Sequence, residues 1–288
     1  PARNPYLCAE LESMSSATKK PFVLACIQAR TGSTRLPGKV LKKIMGRESL
    51  LYMYDRVKLA DSVDQVMIIT SDKPGDDRIE ALCAEHNIPC YRGSENDLLD
   101  RHYQAAISVN ADIVLKIPSD SPLTDFRLIN EMVDYMVDHP DEVDFVTNIS
   151  PGTFPDGLDI EVCSFPALEK AWNEAEKEYE REHTFPFIWE NKELFKIKNF
   201  ENPIESEQNM FMTHRWTLDY DEDFEFISRV FEHFKDKLDF SWYDVLELLE
   251  EQPDLPGINA KYAGVNWYRN EADVNVPRYM YKTDKKIS

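Results

Sequence analysis

FVLACI at residues 22–27 runs directly into QARTGSTRLPGK at residues 28–39. An unbroken apolar run that stops at a glycine-rich loop reads as a strand buried on both faces. No spacer separates the two, so the loop sits at the strand's carboxyl end, where open α/β sheets bind ligands. Gly32 and Gly38 are expected to adopt positive φ and let the backbone approach a ligand. Successive N–H groups in such a loop form an anion-binding concavity, to which Ser33 and Thr34 add hydroxyls. Arg30, Arg35 and Lys39 add positive charge, Arg as a bidentate fork and Lys as a mobile point charge. Three cations around one loop suit a triphosphate. The spacing matches neither G-x-x-x-x-G-K-[ST] nor G-x-G-x-x-G.

Outward from this loop the chain keeps alternating. Residues 50–59 carry apolar side chains at helical spacing. QVMIIT at 65–70 reads as a strand, and 76–86 and 97–109 as helices. DIVLKI at 112–117 is a third strand, followed by a helix over 125–137 with Thr124 as N-cap and a strand over 143–147. Strands joined by helical crossovers predict an α/β fold, a mostly parallel open sheet with helices on both faces. The loops after Ile27, Thr70 and Ile117 are then expected to line one site. Beyond it, PGTFPDGLDIE at 151–161 is a loop entering a short strand. Helices are expected over 165–180, 183–191, 221–234 and 242–251, and strands over 194–200 and 212–218.

Bulk properties exclude several classes. With 288 residues, 42% of them apolar, the chain can bury a substantial core. A formal net charge of -20 repels phosphate backbones and argues against general nucleic-acid binding. Cys8, Cys26, Cys83, Cys90 and Cys163 are scattered, which indicates neither a disulfide framework nor a zinc site and fits a reducing cytoplasm. No apolar run has the length of a membrane span, and residues 1–20 lack a signal peptide's apolar stretch. Met14 is read as the native start.

IQARTGSTRLPGKVL closely resembles the opening of the spore-coat polysaccharide cytidylyltransferase family. That family is a branch of the CMP-sugar synthetases, related to the acylneuraminate and 3-deoxy-manno-octulosonate cytidylyltransferases. The likeness continues through RGSEND at 92–97, SDSPL at 119–123, FPDGLDIE at 154–161, REH at 181–183 and RWTLD at 215–219. It implies a Rossmann-like nucleotidyltransferase fold, similar to that of nucleotide-sugar glycosyltransferases. It also implies Mg²⁺-dependent transfer of CMP from CTP to a small acidic acceptor, with release of pyrophosphate, for surface polysaccharide or glycoconjugate synthesis. The corresponding organisation is an extension over 1–20, a nucleotidyltransferase domain over 21–251 and a tail over 252–288.

Residue by residue, the resemblance makes Asp120 and Asp219 the metal ligands. A carboxylate at the end of DIVLKI, facing the phosphate loop, is independently well placed for that, though either aspartate also suits a helix cap. Arg30, Arg35 and Lys39 complete the catalytic set. Gln28, Ala29, Arg30, Gly32, Ser33, Lys39, Ser71, Asp72, Arg78, Arg92 and Ser119 are expected around the nucleotide, Arg78 being equally a helix-surface residue. Asp156, Asp159, Glu161, Arg181, His183 and Arg215 are acceptor-side candidates. Arg181 and Arg215 suit an anion on the acceptor. His183 is either an orienting or proton-accepting group or a structural histidine. Asp156 and Asp159 either bind hydroxyls or hold the turn at Gly157. Trp242, Trp267 and Tyr262, Tyr268, Tyr279 and Tyr281 mark either an interface, consistent with a homodimer, or packing of the tail onto its own domain. Two other readings compete: a nucleotide-sugar glycosyltransferase, and a non-catalytic nucleotide-binding homologue within a polysaccharide-synthesis assembly.

Overall fold

The computed structural model describes residues 20–204, 209–235 and 237–265. The proposed extension therefore lies outside the described residues up to residue 19, as do Trp267, Tyr268, Tyr279 and Tyr281.

The opening apolar run forms β1 (Val23–Gln28). β4 (Gln65–Ser71) and β6 (Ile113–Pro118) flank it, both parallel. The remaining sheet strands are β5 (Cys90–Gly93), β7 (Phe145–Thr147), β8 (Glu161–Ser164) and β9 (Ile197–Asn199), in the order β5-β4-β1-β6-β8-β7-β9. β8 alone runs against the rest, antiparallel to both β6 and β7. A small antiparallel ribbon, β2 (Lys43–Ile44) and β3 (Arg47–Glu48), has no counterpart among the sequence expectations.

Burial on two sides explains why β1 reads as a solid apolar run. Val23, Ala25 and Ile27 belong to one hydrophobic cluster and Leu24 and Cys26 to the other. Alternate side chains point to opposite faces, and helices cover both. On the first face lie α1 (Ser49–Lys58), α2 (Asp77–Glu85), α4 (Phe126–Asp138), α9 (Asp221–Phe234) and α10 (Trp242–Glu251). On the second lie α3 (Leu98–Val109), α5 (Phe165–Glu174) and the short α7 (Pro186–Glu190).

Three local expectations change. Helix α4 is capped by Asp125, whose carboxylate accepts from Arg127 N at 2.8 Å, while Thr124 Oγ1 donates to Ser121 O. The helix expected over 165–180 stops at Glu174, and a separate short helix, α6 (Glu178–Glu182), comes after it. Residues 210–213 form the single-turn helix α8 (Met210–Thr213) instead of starting a strand. Residues 214–219 are extended but belong to no strand of the sheet. They cross the carboxyl ends of the strands and bond to loops there: Trp216 N to Asp156 O at 2.6 Å and Leu218 N to Asp120 O at 2.7 Å. The apolar alternation of this segment is real, because Trp216 and Leu218 are buried. Its partners are loop carbonyls, which a periodicity cannot reveal.

Candidate active site

The chain turns from one side of β1 to the other between β4 and β6. The loops after β1 and β6 diverge there, which is where α/β sheets open a ligand crevice. Two cavities lie at this point, of about 270 and 260 Å³. Gln28, Arg30, Arg35, Lys116, Asp120 and His183 line both.

The glycine-rich loop is built largely from its own backbone. Ser33 N and Gly38 N both donate to Thr31 O, at 2.9 and 3.0 Å. Gly38 takes φ 67° and turns the chain so that Lys39 begins a short 3₁₀ turn with its side chain directed inward. Gly32, by contrast, does not adopt positive φ. Its role is its lack of a side chain beside the first cavity.

Asp76, for which the sequence carries no motif, pins this loop from below. Its carboxylate accepts from Thr31 N and Thr31 Oγ1, each at 2.7 Å, and from Ser71 Oγ. Burial alone pushes the Asp76 carboxyl up, but the Ser71 and Thr31 hydrogen bonds outweigh it and hold the group below its ordinary value. Ser71 and Asp72 line neither cavity, so the end of β4 supports the loop rather than facing a ligand. Replacing Asp76 by Asn removes the charge from three hydrogen bonds. We expect KM for the nucleotide to rise about tenfold, the equivalent of roughly 1.5 kcal/mol for one charge-assisted bond, with kcat little changed. Steady-state kinetics check this.

The first cavity gathers most of the anticipated nucleotide residues, Gln28, Ala29, Arg30, Gly32, Ser33, Lys39 and Ser119, together with Arg35 of the catalytic set. Two others sit elsewhere. Arg78 is exposed on α2. Arg92 staples β5 to the end of β4 and to α2, donating to Ser71 O at 3.0 Å and to Glu80 at 2.7 Å. Unanticipated wall residues are Glu95, Arg101 and Lys116. Arg101 holds the Ser94 carbonyl at 2.6 Å. Lys116 donates to Glu161 Oε2 at 2.6 Å. Both lie within stretches that read as an ordinary helix and strand, and nothing in their spacing distinguishes them from structural cations.

The extended crossing at 214–219 brings the two aspartates together. Leu218 N and Thr217 Oγ1 both bond to the Asp120 carbonyl, which sets Asp219 beside Asp120. Lys39 Nζ lies between them, 3.0 Å from Asp120 Oδ2 and 3.0 Å from Asp219 Oδ1. Arg35 Nη2 reaches Asp219 Oδ1 at 2.8 Å. Burial would lower the Lys39 pKa, but Asp120 and Asp219 together raise it. Burial likewise pushes Asp219 up, and Lys39 and Arg35 bring it below its usual value.

These carboxylates fit a hard divalent cation. Their oxygens converge on one point, and positive charge is already held there. Among the described residues no group of three or more His, Cys, Asp or Glu surrounds such a point. The protein would thus offer such a cation two carboxylates, and the rest of its shell would have to come from water and ligand oxygens, as is usual for Mg²⁺-type sites.

Gly157 brings the second cavity's acidic wall against the crossing segment. It adopts φ 110°, and a Cβ there would stand 2.6 Å from Thr217 N. Asp156, Asp159, Glu161, His183, Arg215 and Asp219 all line this cavity. Glu161 is engaged on both oxygens, by Lys116 and by Trp189 Nε1 at 3.1 Å. Arg215 is buried, with its fork on Asp223 at 2.9 and 3.0 Å and on Asp219 at 3.2 Å. Arg181 lines neither cavity and donates to Asp97 Oδ2 at 2.7 Å. Both guanidiniums are thus turned to the protein's own carboxylates. His183 is held down to about 4 by burial and the nearby Lys116 and Arg30 charges, so its ring is neutral at pH 7.

Burial and the neighbouring Asp120 and Glu161 push Asp159 up to about 7. A carboxyl raised in the folded state stabilises the fold at low pH and loses that contribution as pH rises through its folded pKa. Asp159→Asn is therefore expected to raise Tm at pH 8 and leave it nearly unchanged at pH 4, where the wild-type carboxyl is protonated in the folded protein. Thermal melts at the two pH values check this.

Of the described tail residues, Val265 lines the second cavity. Tyr262 stacks on Tyr220 with centroids 3.8 Å apart, and Asn259 Nδ2 bonds Arg215 O and Asp223 Oδ1. Trp242 is buried in the core. Among the described residues no helix is long and apolar enough to cross a membrane.

Residues 24–252 match the model of a family described as cytidylyltransferase. The chain is 35% identical over 238 residues to an uncharacterised protein, MJ1063, of Methanocaldococcus jannaschii, covering 83% of this chain and 94% of that one. It is 30% identical over 240 residues to the spore coat polysaccharide biosynthesis protein SpsF of Bacillus subtilis, covering 81% and 95%. A solved cytidylyltransferase from Leptospira borgpetersenii superposes with a TM-score of 0.75 at 31% identity, over 82% of this chain and 96% of that one. A CMP:2-keto-3-deoxy-manno-octonic acid synthetase complexed with CTP shares the fold, with a TM-score of 0.56 at 17% identity. A family match over nearly the whole described chain agrees with the cation-rich loop and the facing carboxylates: this chain belongs to the cytidylyltransferase family, a family of nucleotidyltransferase enzymes.

Proposed function

We propose that this cytidylyltransferase transfers CMP from CTP to a small acidic acceptor, a sugar acid, phosphate or phosphonate, for surface polysaccharide or glycoconjugate synthesis. The observation that carries this reading is the pair of adjoining cavities that share Arg30, Arg35 and Asp120. One suits a triphosphate, the other a compact partner, and the shared wall is where the two would react. An acceptor oxygen attacks the α-phosphorus in line, and pyrophosphate leaves. Catalysis rests on positioning and charge neutralisation.

In this reading the loop N–H groups, Arg30 and Arg35 hold the phosphates. Asp120 and Asp219 hold Mg²⁺, which supplies charge neutralisation at the phosphate oxygens when bound. His183, neutral at pH 7 and made a weak base by burial and the Lys116 and Arg30 charges, is suited to orient the acceptor by a hydrogen bond. Asp156 and Asp159 offer acceptor oxygens to hydroxyls. Arg30 is exposed and lines both cavities. It takes the role of counter-ion to the acceptor's anion in place of Arg181 and Arg215, whose donors are engaged internally. The four described thiols are unpaired, which supports a cytoplasmic enzyme. The resemblance supports a homodimer, which sedimentation would measure.

The test is pyrophosphate release with each of the four NTPs, Mg²⁺ and a panel of sugar acids, sugar phosphates and alkylphosphonates. Release with CTP and one acceptor class is expected. Release with another NTP, or CTP binding without release for any acceptor, removes this reading.

A further inference from the structure

Lys39 occupies the point on which Asp120 and Asp219 converge. Its Nζ is 3.0 Å from one oxygen of each, and its side chain is 11% exposed. Asp219 Oδ1 accepts from both Lys39 and Arg35, at 3.0 and 2.8 Å, while Oδ2 accepts from Arg215 at 3.2 Å. A carboxylate oxygen has two lone-pair directions. Those of Asp219 Oδ1 are both taken, so a divalent cation can bind that oxygen only if one of the two donors leaves. Arg35 is the more exposed of the two, at 40%, but Lys39 alone also engages Asp120.

We propose that Lys39 is a displaceable occupant of the divalent-cation site. The ammonium and the metal compete for Asp120 and Asp219, and nucleotide phosphates release the site by drawing Lys39 away. This rests on the reading of Asp120 and Asp219 as the metal's ligands.

Lys39 is suited to the exchange. It lines the nucleotide cavity as well as bridging the carboxylates, and its four-carbon stem is flexible. Two like charges cannot share such a short span without strong repulsion. The consequence is coupling. The free enzyme holds divalent cations weakly, and nucleotide and metal each strengthen the other's binding.

Mn²⁺ alone, without nucleotide or acceptor, is the probe, with free Mn²⁺ followed by electron paramagnetic resonance. The proteins are wild type, Lys39→Met, Lys39→Gln, Lys39→Arg and the double variant Lys39→Met/Asp120→Asn. Circular dichroism shows which neutral variant keeps the wild-type fold, and that one is titrated. It is expected to bind Mn²⁺ at least about tenfold more tightly than wild type. K39R keeps a cation between the carboxylates and is expected to bind as weakly as wild type. The double variant is expected to lose the gain. Equal or weaker binding by the neutral variant overturns the proposal. So does tight binding by K39R, or a gain that survives Asp120→Asn. No catalytic step enters this titration. A tenfold gain combined with silent pyrophosphate release would remove the functional reading and leave this one standing, and the converse result would do the reverse.

Discussion

Asp120→Asn is expected to lower cytidylyl transfer by about 10³-fold, the scale seen when one transition-state charge partner is removed, while the protein stays folded. The two effects separate because the carboxylate and the backbone of this residue do different work. The Asp120 carbonyl accepts from Leu218 N and Thr217 Oγ1, and Asn leaves that carbonyl untouched. The side chain is 31% exposed and, among the described residues, bonds Lys39, which keeps Asp219 as a partner after the change. A shift in Tm of no more than about 2 °C is therefore expected. Pyrophosphate release and a thermal melt on the same preparation check both halves. Wild-type turnover in the variant would remove Asp120 from the metal-binding role.

Arg215→Met has the opposite profile, a large effect on the fold itself. Arg215 is 3% exposed and lies among Asp156, Asp219 and Asp223, which are 7%, 6% and 0% exposed. Each of these carboxylates is faced by the guanidinium, which Asp219 shares with Lys39 and Arg35. Asp156 is already pushed up by burial and by Asp159, with Arg215 opposing the shift. Methionine fills much of the volume but leaves three acidic groups without their shared cation. Losing one partner of a buried ion pair typically costs about 3–5 kcal/mol, and we expect a loss of that size. Urea denaturation measures it. Arg215→Lys is expected to recover only part, since a single ammonium cannot span Asp223 bidentately while reaching Asp219. A loss below about 1 kcal/mol for Arg215→Met would mean that the network adds little to stability.

These two results bear on how much could be read in advance. The alternation of apolar runs and amphipathic stretches was sufficient for the α/β sheet, because a strand covered on both faces must be apolar throughout. α9 and α10 match their expected spans, Asp221–Phe234 and Trp242–Glu251. The loop's place was equally legible: it follows β1 with no spacer and lines the first cavity. The segment over 212–218 failed as a strand for a definite reason. Periodicity reports which side chains are buried, not whether the backbone bonds to a strand or to a loop carbonyl.

Charge partners were the least legible feature. Arg30, Arg181 and Arg215 look alike as residue types, yet Arg30 is exposed beside both cavities, Arg181 is bound to Asp97 and Arg215 is enclosed by carboxylates. Asp76 gave no signal because Thr31, the loop residue it holds, is brought to it only by the packing of β4 against β1, although its other partner, Ser71, lies five residues before it. By itself, then, the sequence determined the family, the sheet and the place of the glycine-rich loop, all set by local pattern and by motifs contiguous in the chain. Only the tertiary structure decided which cation meets which carboxylate. Lys39 and Asp219 lie 180 residues apart, and electrostatic pairing depends on distance and burial in space, which no local spacing encodes.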